Sequence, residues 1–276
     1  MRFVRAVLAA CAMSSCIGTA TNAAPAPVAP TQGLSAAPAT PAAVASPKLE
    51  HPVLLLDVRA GTDVTQPGTI PPGPGGSLTL GPETHAVDEV GIVWLYDQAK
   101  SRVIAYDQGR FVQAVAVPDV PRGASALLVA SGRIYFRIID DVGTASTELE
   151  LDGITGKLLR RSDMRTGAPS LYPYERVPLP YMRLTAKGVD DVLGHDALGN
   201  RYERHYFAQW SAGQCFSVIR RITSSGRDIA DACFDVGSYA TDYFVARDGA
   251  VYQLEQLYSG PTLDRFAVTR VISPAK

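Results

Sequence analysis

The chain has little cysteine, little histidine and no excess of charge, and each shortage closes off a class of function. Its 276 residues hold four cysteines and four histidines, with 26 Lys+Arg against 27 Asp+Glu. A nucleic-acid binder needs a positive field to displace counterions from phosphates, and none is available here. Nucleophilic catalysis of the Gly-x-Ser-x-Gly type is unsupported, because that element does not occur. No Gly-rich loop leads into a helix, so a phosphate or dinucleotide cradle is missing. Beyond the N-terminus no apolar run is long enough to span a bilayer. Almost no window combines helical spacing with caps, which leaves strands as the building material.

What is present begins with an address. Residues 1–5 carry Arg2 and Arg5, residues 6–13 read AVLAACAM, and small residues follow to Ala23. Charged, apolar, then small is the order of a secretory signal, with cleavage expected after Ala23. Losing the two arginines takes the net charge from −1 to −3. LAAC, ending at Cys11, and MSSC, ending at Cys16, also resemble the lipobox of bacterial lipoproteins. A lipid anchor is therefore an open alternative, and the membrane enters only through it. Residues 24–48 are almost all Ala, Pro, Ser, Thr and Val, an extended spacer rather than a domain. Residues 49–276 remain as the folded part, expected in the periplasm or outside the cell.

Only Cys215 and Cys233 lie beyond the leader. They flank a strand–turn–strand pattern whose turn, TSSGR, centres near Ser224. A hairpin centred there would set the two cysteines opposite each other, close enough for a disulfide in an oxidising compartment. Two buried thiols or two metal ligands are the alternatives.

A unit recurs along the folded part: a turn glycine, a short apolar strand, a polar turn and a second strand. The turn glycines are Gly91, Gly132, Gly199 and Gly249, at intervals of 41, 67 and 50 residues. Glycine suits such turns because tight hairpins need positive φ. Repeats of this length with several strands each point to an all-β propeller of antiparallel meanders. Five to six irregular blades are expected, with the long second interval as room for an extra blade or a surface excursion. A β-sandwich is the alternative. The apolar stretch 51–61 is expected to close the ring against the last blade.

Residues 81–112 carry Gly81, Pro82, Val87, Asp88, Gly91, Asp97, Arg102, Val103, Tyr106, Asp107 and Gly109 in a pattern that resembles a blade of NHL-type and related bacterial β-propellers. The resemblance is partial at 129 and 245 and poor at 195. It implies ligands gathered at the centre of one face. Related propellers include calcium-dependent lactonases and zinc-dependent lyases that use such inner positions.

His85, Asp88 and His195, with Asp196, are the candidate metal ligands, because they sit just before turn glycines where first strands begin. Two imidazoles and a carboxylate could hold zinc or calcium. Their offsets from the glycines differ, so each histidine could equally serve a loop carbonyl. The second candidate is a Pro/Tyr-rich stretch, SLYPYERVPLPYMRL, with Tyr172, Tyr174 and Tyr181 as partner-binding rings; the alternative is that they plug a blade interface. No catalytic residue stands out and no cofactor is expected, zinc or calcium being the alternative. The expectation is an exported, non-catalytic binding or scaffold propeller that recognises a protein, peptide or glycan of the envelope. A metal-dependent hydrolase or lyase is the alternative, and an inhibitor-like protein a third possibility.

Overall fold

The computed structural model describes residues 48–72, 79–139, 145–175, 182–185, 188–207, 217–234 and 240–275. The expected leader with Cys11 and Cys16, residues 24–47 of the spacer, Tyr181 and Cys215 lie outside them. Ala45–Lys276 forms a compact unit by itself.

Strands β1 (Lys48–Glu50) and β2 (Val53–Arg59) come first. The first blade is β3 (His85–Val87), β4 (Val93–Asp97), β5 (Arg102–Asp107) and β6 (Arg110–Ala116). The second is β7 (Ala126–Ala130), β8 (Arg133–Ile139), β9 (Ala145–Asp152) and β10 (Leu158–Asp163). The third is β11 (Met182–Thr185), β12 (Gly188–His195), β13 (Arg201–Phe207), β14 (Ser217–Ile222) and β15 (Asp228–Phe234). The fourth is β16 (Ala240–Val245), β17 (Val251–Ser259) and β18 (Thr262–Ile272). Neighbours in sequence pair antiparallel within each blade. β2 adds to β18 as the fourth strand of the last blade, as expected of the 51–61 stretch, while β1 adds in parallel to β15.

The architecture is an all-β propeller of four sheets among the described residues, which corrects the expectation of five to six blades and leaves nothing of the sandwich alternative. The 67-residue interval after Gly132 holds three of the second blade's four strands, β8 to β10, a 3-10 turn at Met164–Thr166 and the first two strands of the third blade. The four turn glycines each mark one blade, so the repeat itself counts four. β3 touches both β7 and β16, and β16 touches β12, so the sheets surround a common centre instead of stacking in two layers.

That arrangement buries both faces of an inner strand. All five residues of β4 are buried, as are all five of β7, whereas the outer strand β6 is largely exposed. Val93 and Leu95 on one face of β4 and Trp94 and Tyr96 on the other are all buried, so the two faces do not separate core from solvent; each meets a neighbouring blade. One apolar cluster links the first, second and fourth blades, and a second joins the third to the fourth.

The expected Cys215–Cys233 disulfide is not borne out: among the described residues no disulfide bond is present, and Cys215 lies outside them. β14 and β15 do make a hairpin around TSSGR, but its register sets Val218 opposite Cys233 and Ser217 opposite Phe234. The turn is centred on Ser225, not Ser224, with Thr223 N–H donating to the Arg227 carbonyl, and a bulge beside Ile222 then gives β15 an extra residue.

Candidate functional site at the mouth of the ring

The starts of β3, β7 and β16 meet at one end of the ring, and a buried polar cluster joins them. Asp242, only 1% exposed, is its hub. Its Oδ2 accepts the Thr84 hydroxyl at 3.0 Å and the His85 backbone N–H at 2.9 Å, and it stands 2.9 Å from His85 Nδ1. Thr84 Oγ1 in turn accepts the backbone N–H of Leu127 at 3.0 Å. One chain of hydrogen bonds thus crosses from the fourth blade through the first to the second. A buried carboxylate is tolerated because donors surround it.

Above this hub opens a cavity of about 400 Å³ lined by Leu80, Glu83, Ser125, Asp242, Gln256 and Tyr258, among others. Burial pushes the Glu83 carboxyl above the usual carboxylate range, against a hydrogen bond with Gln98 that draws it back. Burial also raises the Tyr258 phenol, and the charge of Glu83 adds to the rise. Gln256 Nε2 donates to the Pro82 carbonyl at 2.9 Å, and the Tyr258 hydroxyl lies 2.6 Å from Gln256 Oε1. The mouth therefore offers a fixed set of donors and acceptors beside an exposed Leu80, a mixture suited to holding a ligand.

The predicted metal ligands each have a separate partner. His85 is fully buried against Asp242. Asp88 takes the backbone N–H groups of Val90 and Ile92 on Oδ1 and the Trp94 indole N–H on Oδ2 at 2.9 Å. His195 Nδ1 stands 2.7 Å from Glu175 at the surface. Among the described residues no group of three or more His, Cys, Asp or Glu side chains is placed to hold a metal ion. Asp196 repeats the role of Asp88: Oδ1 accepts Leu198 and Asn200 N–H, and Oδ2 accepts the Tyr202 hydroxyl. Both acids organise their hairpin turns.

Of the predicted partner-binding rings, Tyr172 is buried. Its hydroxyl donates to the Ala126 carbonyl at 3.0 Å, and the Arg137 guanidinium covers its face at 4.5 Å. Leu171 N–H donates to the buried Glu148 at 2.6 Å, so residues 170–175 run from the second blade to His195 of the third. Tyr174 is half-buried against the core.

Two features escaped the sequence reading. Asp242 and Glu83 sit in segments with no repeat mark of their own. The third residue after each turn glycine is aromatic, Trp94, Tyr135, Tyr202 and Tyr252, and all four are buried. That spacing was visible and would have marked the inner hairpin of every blade.

A family model described as a domain of unknown function (DUF7485) matches residues 55–136, which run from β2 into β8. None of the curated proteins matches the chain. Among solved structures, a DUF4221 family member from Bacteroides vulgatus is 10% identical over 67% of this chain and 76% of that one, with a TM-score of 0.27. Streptogramin B lyase is 17% identical over 75% of this chain and 52% of that one, with a TM-score of 0.24. BamB from Moraxella catarrhalis is 11% identical over 82% and 99%, with a TM-score of 0.25. Scores this low transfer no activity.

Proposed function

We propose that the chain is an exported, non-catalytic binding propeller of the bacterial envelope that takes a protein, peptide or glycan partner at the mouth of its ring. The observation that carries this reading is the cavity over Asp242, where Gln256 and Tyr258 are held by the backbone carbonyls of Pro82 and Thr79 and Glu83 is bonded to the Gln98 side chain. The leader and spacer support export, with a lipid on Cys11 or Cys16 as the alternative to cleavage after Ala23. The NHL-type likeness of residues 81–112 agrees with a repeat propeller used as a platform. A metal-dependent hydrolase or lyase built on His85, Asp88 and His195 is the less supported reading, since these three side chains serve different local bonds.

The test is retention of envelope components on the immobilised domain. One discrete partner is expected, retained by the parent protein and lost in Tyr258→Ala and Leu80→Asp. Equal retention by parent and variants would contradict the assignment of the mouth.

A further inference from the structure

The end of the ring opposite the mouth carries a second pattern. The inner hairpin turns of all four blades lie there. The Ala197 N–H of the third blade's turn donates to the Arg247 carbonyl of the fourth blade's turn, and the turns of the first and second blades line one groove. Turn tips ordinarily favour Gly, Asn, Asp, Ser or Pro, each for a conformational reason. Here two of the inner tips are large and apolar, Val90 in the first blade, 80% exposed, and Leu198 in the third, 68%; the second blade adds Ile154, 83% exposed, from its outer β9–β10 turn, whose Gly153 N–H donates to the Gly132 carbonyl of the inner turn. They are the three most exposed large apolar side chains among the described residues. Val90 and Leu198 occupy the same position, immediately before the turn glycine. The fourth blade contributes Val53 and Leu54 of its edge strand, 42% and 58% exposed. Single exposed apolar residues need no explanation; one set for every blade at one end does.

The chain also enters the domain at this end. The Ser273 hydroxyl donates to Glu50 of β1 at 2.9 Å, and the Ala275 N–H donates to the Asp248 carbonyl in the turn of the fourth blade. Whatever precedes Lys48 therefore joins the propeller beside the apolar tips. The 47 preceding residues are those expected to hold an export leader and a spacer.

The geometry points to a lipid surface as the occupant of this end: the tips dip into the headgroup region of a bilayer and hold the mouth facing away from it. A protein partner would want a contiguous apolar patch. Val90 and Ile154 share one groove, while Leu198 and the Val53–Leu54 pair stand on other blades; apolar side chains spread around a ring in this way suit a planar, deformable surface, where each buried side chain adds to partitioning. This inference is independent of what binds at the mouth.

The experiment is flotation of the chain from residue 24 onward, which carries no lipid, with vesicles of phosphatidylcholine and phosphatidylglycerol. The protein is expected to float with the vesicles. The triple variant Val90→Asp/Ile154→Asp/Leu198→Asp is expected to lose at least about tenfold in bound fraction, since each change withdraws one apolar anchor. Its urea midpoint should match the parent because the tips are exposed, and Val64→Asp, in the loop after β2, should float like the parent. Failure of the parent to float, or equal flotation of the triple variant, overturns the inference. Photo-crosslinkers at positions 90 and 198 that label a protein and no lipid in cells also overturn it, and leave the reading of the mouth standing.

Discussion

Replacing Asp242 by alanine tests whether the hub holds the ring together. The carboxylate is buried and accepts from the Thr84 hydroxyl and the His85 backbone, with the His85 ring as third contact. Its loss takes the acceptor from these buried groups at the floor of the mouth cavity. Each stranded buried donor costs about 1–3 kcal/mol, and breaking a buried pair by removing one partner costs about 3–5 kcal/mol in measured cases. A loss of about 4 kcal/mol is therefore expected. For a domain of this size it lowers the thermal midpoint by about 10 °C. Circular dichroism during heating and urea titration reads both quantities. Asp57→Ala is the control: it removes an ion pair with Arg265 whose two side chains are 36% and 48% exposed, and exposed pairs contribute about 1 kcal/mol or less. Combining Asp242→Ala with His85→Ala should cost less than the sum of the two, because they share a bond. A midpoint shift for Asp242→Ala no larger than that of Asp57→Ala would refute the reasoning.

Four other outcomes follow from the same structure. The Glu83 carboxyl is raised by burial, so the folded state prefers it neutral. Its contribution to stability is complete below the ordinary glutamate value and is lost as pH rises through the higher folded value. Glu83→Gln should flatten the fall of the urea midpoint over that window, and an unchanged slope would contradict the assigned burial. Gly249 has φ +85°, and an added Cβ would collide with Tyr202 Oη and stand 2.8 Å from Asp196 Oδ2, whereas Gly91, with φ +90°, has nothing within 4 Å of such an atom. Gly91→Ala should cost about 1–2 kcal/mol of backbone strain, and Gly249→Ala clearly more by urea titration. Elemental analysis after dialysis should find no zinc or calcium that His85→Ala and His195→Ala both remove; a stoichiometric ion lost in both would mean that these residues converge. Reducing agent should leave the melting midpoint of the chain from residue 24 unchanged, since Cys233 faces Val218 across its hairpin; a lowered midpoint would restore a disulfide.

Much of the fold was legible because hairpin chemistry is local. Gly91, Gly132, Gly199 and Gly249 announced one blade each, and the apolar stretch at 51–61 announced the closing strand β2. The expectation of five to six blades rests on the 67-residue interval from Gly132 to Gly199, which looks long enough for another blade, whereas the glycines themselves count four. The hairpin of the two cysteines was misplaced for a similarly local reason. TSSGR spans 223–227 and turns about Ser225, one residue beyond the expected centre, and a bulge beside Ile222, which no residue pattern betrays, adds one residue more to β15. The mouth was the least legible part. His85 was singled out, but its partner Asp242 lies 157 residues away, and only ring closure brings the two together. Tyr172 was noticed for its ring, yet the ring's place under Arg137 depends on how residues 170–175 cross between blades.

The most direct test of the binding reading is a photo-crosslinking amino acid at position 80, on the rim of the mouth, in the exported protein in living cells. One discrete adduct with an envelope protein, peptide or glycan is predicted, lost when Tyr258→Ala is added. No adduct at position 80, or one that survives Tyr258→Ala unchanged, would contradict the account.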